Sequence, residues 1–101
     1  MTYRVVYTAH VRAKIAVQVD YLRGQTVADE TIEDWFTRLF DAIDNLYKWP
    51  KRCPIAKDQT EEEGFEVQKL IFADYLIFYR IDDHNHIVEV LDFAHGAQQH
   101  G

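Results

Sequence analysis

One cysteine, Cys53, is all the chain holds, so no internal disulfide can form and a metal cage of nitrogen and sulfur ligands is not expected. Long apolar runs are missing as well. The opening Met1-Thr2-Tyr3-Arg4-Val5-Val6-Tyr7 has none of the apolar core of a secretory signal, and no span is long enough to cross a bilayer. A soluble cytoplasmic protein without membrane contact is the expectation. No repeat, low-complexity tract or linker interrupts the 101 residues, of which 48% are hydrophobic, so one domain over 1–101 with its own core is expected.

Positive charge is scarce in the second half. Residues 58–101 hold only Lys69 and Arg80 against ten Asp and Glu, a net of −8. Residues 1–57 hold nine Lys and Arg against seven acids, or +2, and together the halves give −6. Nonspecific grip on nucleic acid draws most of its affinity from cations that neutralise phosphate. The second half has the wrong sign for that.

What the chain does have is three short runs rich in Val, Ile, Phe and Tyr, at 65–72, 75–81 and 87–93. Ala73-Asp74 separates the first two and Asp82-Asp83-His84-Asn85-His86 the last two, as in a three-strand antiparallel meander. Upstream, residues 3–7 alternate as a first strand. Thr8 suits a helix N-cap, and Val11, Ile15, Val19 and Leu22 then form one apolar stripe, with Gly24 placed for a left-handed C-cap. Thr26 and Asp29 have the spacing of a capping arrangement for a second helix. Its apolar stripe is Ile32, Trp35, Phe36, Leu39, Ile43, Leu46 and Tyr47, and Pro50 stops it. The polar stretch 57–63 reads as a mobile surface loop. The order is β-α-α-β-β-β, an α+β two-layer sandwich with a helical hairpin on a four-strand, mainly antiparallel sheet. The first strand is expected beside the last.

This arrangement resembles the RelE/ParE family of toxins from bacterial type II toxin–antitoxin pairs, also labelled plasmid-stabilisation proteins. The likeness runs through Tyr3-Arg4-Val5-Val6-Tyr7-Thr8, the tryptophan-bearing second helix, and Leu46 before Pro50 and Arg52. Its most specific part is Val67-Gln68-Lys69-Leu70, then Tyr75-Leu76-Ile77-Phe78-Tyr79-Arg80-Ile81, then Val90-Leu91 and His95-Gly96. The wording of the third strand and the terminal His-Gly are more similar to the ParE branch. The resemblance implies a cognate antitoxin as partner, with DNA gyrase as a candidate target. Growth inhibition would follow from the toxin. The other branch implies a ribosome-dependent mRNA endonuclease. It also implies departures: Gln68 stands where an arginine is common, and Gln98 lies in a tail, Ala97-Gln98-Gln99-His100-Gly101, that commonly carries arginines. A neutral amide cannot stabilise the charge developing in phosphoryl transfer, and each lost contact of that kind costs on the order of a hundredfold in rate.

Arg80, Lys69 and His95 are the catalytic candidates if the chain cleaves RNA; Gln68, Lys51, Arg52 and Gln98 are candidates for holding a partner or nucleic acid. Each has a plainer alternative. Arg80 lies in an apolar strand, where Leu76, Phe78 and Arg80 share one face, and it can equally pair with Asp82, Glu89 or Asp92. Lys69 can be a solvated lysine. His95 can work as acid or base near neutral pH or simply cap the strand end. Lys48, Lys51, Arg52 and Lys57, with Trp49 among them, are either a contact for an acidic partner or nucleic acid, or a solvated helix exit. His84 and His86 beside Asp82 and Asp83 superficially suggest a metal, but turns favour the same residues for their own hydrogen bonds. No metal or cofactor is expected.

Overall fold

At Thr8 the chain changes from strand to helix. Its extended backbone ends β1 (Arg4–Tyr7), and its hydroxyl accepts the Val11 N–H at 3.2 Å, capping α1 (Ala9–Gly24). The computed structural model describes residues 2–96. After α1 come α2 (Asp29–Asp44), two 3₁₀ turns (Asn45–Tyr47 and Pro50–Arg52) and α3 (Lys57–Glu63). Strands β2 (Gln68–Phe72), β3 (Tyr75–Asp82) and β4 (Ile87–His95) complete the described residues. The sheet order is β1-β4-β3-β2, with β1 parallel to β4 and the other two pairings antiparallel. The expected α+β sandwich is therefore present, and the first strand does lie beside the last.

Alternation assigns the two faces. Leu70, Tyr75, Ile77, Tyr79, Val88, Val90 and Phe93 point at α1 and α2, where they meet Val11, Ile15, Leu39, Ile43 and Leu46. Trp35 of α2 closes the layer, its ring 5.4 Å from that of Tyr75. Tyr75 and Phe93 stack at 5.1 Å across β3 and β4. Burying such side chains supplies about 1.5–3 kcal/mol each, which is why the helix stripes and the strand alternation agree.

Four local expectations are corrected. Gly24 stays inside the last turn of α1; the cap is Gln25, and the left-handed residue is Thr26, at φ 58°. Thr26 consequently does not cap α2: its hydroxyl donates to the Gln25 carbonyl, and Ala28 occupies the N-cap position without a side-chain bond. Regular α-helix ends at Asp44, and the chain tightens into 3₁₀ turns before Pro50, ahead of which Trp49 is extended (φ −147°, ψ 67°).

The largest correction is α3, a helix where a mobile loop was expected. Gly64 closes it in the left-handed conformation (φ 81°), and the Thr60 hydroxyl accepts the Val67 N–H at 2.9 Å, fastening the helix to the start of β2. Ala56, Val67, Phe78 and Ala94 are packed together on the second sheet face, so that face is partly covered rather than free.

Candidate functional site

Lys69 and Arg80 both project from the second face. Register places Gln68 opposite Tyr79 and Lys69 opposite Phe78, which leaves Lys69 and Arg80 diagonal neighbours. Arg80 is occupied. Its Nε donates to Glu89 Oε1 at 2.7 Å from the directly opposite position on β4, and its guanidinium lies 5.3 Å from the centre of the Phe65 ring. Glu62 and Glu63 of α3, with Asp92, line a cleft of about 190 Å³ on the same face, floored by Val67, Phe78 and Leu91. The face that carries both sheet cations is thus rimmed with carboxylates.

His95 is elsewhere. It pairs with Tyr75, whose ring faces the core layer, and the two rings meet edge to face at 5.2 Å. Tyr75 and Arg80 are five residues apart along β3, or roughly 16 Å at the strand rise. The structure brings Lys69 and Arg80 together and puts His95 on the opposite face near the other end of β3.

Gln68 is buried, at 5% exposure. Its side-chain amide donates to the carbonyls of Pro50 (3.2 Å) and Cys53 (2.9 Å), and the Tyr79 hydroxyl donates to the same Pro50 oxygen. Burial pushes the Tyr79 hydroxyl far above its ordinary pKa. These bonds tie the loop between α2 and α3 to the sheet, and residues 54–56 then run along the β2 edge through Lys69 N–H to Pro54 O and Ala56 N–H to Val67 O. Gln68 is a brace inside the molecule.

The loop it braces displays the basic cluster. Lys51 Nζ lies 3.2 Å from Asp83 Oδ2, and the Tyr3 hydroxyl donates to Asp83 Oδ1 at 2.7 Å. The hydrogen bond from Tyr3, then that from Lys51, holds the Asp83 carboxyl below its usual range. Lys48, Arg52 and Lys57 are exposed, as is Trp49 at 69%. Gln98 lies outside the described residues. In the 82–86 turn, Asp82 accepts both the backbone and the side-chain N–H groups of Asn85, which is turn chemistry. Among the described residues no three His, Cys, Asp or Glu side chains converge as metal ligands, and no helix is long and apolar enough to cross a membrane.

One cluster was missed by sequence reasoning. His10 Nε2 and Lys14 Nζ, one turn apart on α1, approach the same oxygen of Asp92 on β4 at 3.1 and 3.0 Å. The i,i+4 spacing of two basic side chains was visible, but their partner, 78 residues from Lys14, was not. Beside them a groove of about 320 Å³ runs between α1 and the end of β4, lined by Ala13, Val17, Gln18, Phe93 and His95.

Comparison with known proteins gives two findings. The sequence model of the family described as the ParE toxin of type II toxin–antitoxin system, parDE, matches residues 5–100. The crystal structure of the toxin–antitoxin complex RelBE2 from Mycobacterium tuberculosis contains a chain similar in fold, with a TM-score of 0.59 and 20% identity over 94% of this chain and 99% of that one. At that identity the likeness speaks for the fold. No curated protein sequence matches significantly.

Proposed function

The chain belongs to the ParE toxin family of type II toxin–antitoxin systems, and from that premise we propose that it acts by binding protein: its cognate antitoxin, with DNA gyrase as the candidate target. The observation that carries this reading is the state of Arg80. A cation meant for a phosphate must be available to it, whereas Arg80 is already held by Glu89 at 2.7 Å, among carboxylates of α3 and β4 that repel a polyanion. The burial of Gln68 and the placement of His95 on the other face support the same reading, because an RNA-cleaving site needs an acid, a base and a cation within reach of one phosphate. Lys51 and Arg52, on the loop that Gln68 braces, are the cations best placed to meet an acidic partner.

Co-expression with the product of the adjoining small gene, followed by gel filtration, tests the antitoxin half of the proposal. Co-elution at a defined ratio is expected; a product that elutes separately from a folded chain contradicts it. The competing reading is a ribosome-dependent mRNA endonuclease using Arg80, Lys69 and His95, in which the ribosome supplies the absent groups. The diagonal placement of Lys69 and Arg80 on one face is what favours it.

A further inference from the structure

β4 is longer than the strand beside it. The parallel pairing with β1 ends at Tyr7 and Val90, where Thr8 N–H bonds the Val90 carbonyl and the chain turns away into α1. Among the described residues no strand lies on that side of residues 91–95, although β3 continues to pair with them on the other. The Phe93 N–H donates at 2.8 Å to Asp92 Oδ1, a side-chain stand-in for a neighbouring strand. The space where β1 would continue is the groove between α1 and β4, with Phe93, Ala94, Ala13 and Val17 for walls. Val17 is 68% exposed, and one turn further along α1 so is Tyr21, at 59%. Two large apolar side chains so placed mark a surface that is covered in use.

We infer that this groove receives an extended segment of a protein partner, apolar on its inward side and carrying carboxylates, which adds to the sheet in line with β1. The inference rests on the antitoxin reading above and names where that partner would lie and with what chemistry. A strand added there gains main-chain hydrogen bonds from the exposed side of 91–95, and the apolar wall selects its alternate side chains. The charge comes from the rim. His10, Lys14 and His95 are basic-type groups around a single carboxylate, Asp92, whereas the cleft on the other side of β4 is lined by Glu62, Glu63 and Asp92. An acidic segment is drawn to the α1 side and repelled from the α3 side. About five residues fit, since 91–95 span roughly 17 Å at the strand rise.

The test uses the purified complex with the adjoining gene's product, read by amide hydrogen exchange and by titration. Slowing of exchange at 91–95 by tenfold or more is expected on binding. Val17→Arg, an exposed change that leaves the core intact, is expected to weaken binding at least tenfold, and Lys14→Glu is expected to weaken it with a loss that shrinks as salt is raised. A complex that forms while 91–95 exchange as fast as in the free chain overturns the inference and leaves the antitoxin reading standing. Weakening by Val17→Arg without that protection assigns the groove to a helix and also overturns it. If no complex forms with the folded wild-type chain, the antitoxin reading fails and takes the inference with it.

Discussion

Asp83 ties three parts of the chain to one carboxylate: Tyr3 ahead of β1, Lys51 in the loop after α2, and its own turn between β3 and β4. Its folded pKa is depressed from an ordinary value near 3.8, first by the Tyr3 hydroxyl and then by Lys51. A carboxyl depressed on folding contributes stability that is present above its unfolded pKa and lost as pH falls through its folded one. Urea unfolding should show the wild type more stable than Asp83→Asn at pH 6, with the gap closing progressively below about pH 4. A gap unchanged at pH 2.5 would show that the carboxylate charge is not what matters. Gln68 gives a second prediction. Its pattern position suggests arginine, but its amide is enclosed and satisfies the Pro50 and Cys53 carbonyls. Gln68→Arg would force a charge into that space, so a loss of about 2–3 kcal/mol is expected, or more than 8 °C in melting temperature for a domain of this size. Unchanged melting would mean that the side chain escapes to solvent.

Helix α3 shows how composition can mislead about an element. Its residues, Lys57 to Glu63, are all polar, and none is buried, so no apolar stripe announced it. Glutamate, glutamine and lysine are nevertheless good helix formers, and Gly64 was a stop signal in plain view. Nothing lies within 4 Å of a Cβ added at Gly64, so Gly64→Ala is opposed only by its left-handed backbone. It should lower stability by about 1 kcal/mol, read by thermal unfolding, while Gly64→Asn recovers part of the loss. The β2–β3 turn holds the opposite case. Ala73 sits at φ 51°, in a position that suits glycine. Ala73→Gly is expected to stabilise by about 0.5–1 kcal/mol, the left-handed penalty for alanine less the extra chain entropy of glycine. A destabilised variant would show that the Ala73 side chain has packing worth more than its strain. The strands themselves were legible because alternation and turn residues agreed. Gly96 of the His-Gly pair also has a local reason: an added Cβ would stand 3.1 Å from the Asp74 carbonyl oxygen, to which the Gly96 N–H donates.

Across the whole molecule, the uneven charge was visible in the sequence, but the partners that decide its use were not. Arg80 and Glu89 are nine residues apart, and only the β3–β4 register sets them opposite each other. Asp92 is reached from His10 and Lys14 only because α1 packs along the end of β4. Counting alone could place Lys69, Arg80 and His95 in one site; the pleat separates them, since alternate residues of a strand face opposite layers. The central claim is that this family member works through protein contacts and not by cutting RNA. Primer extension on transcripts from a bacterial host, after inducing the wild-type chain or Arg80→Ala, tests it most directly. Growth arrest with uncut transcripts, the same for both chains, is the predicted result. Cuts within coding regions that appear with the wild type and vanish with Arg80→Ala would contradict it.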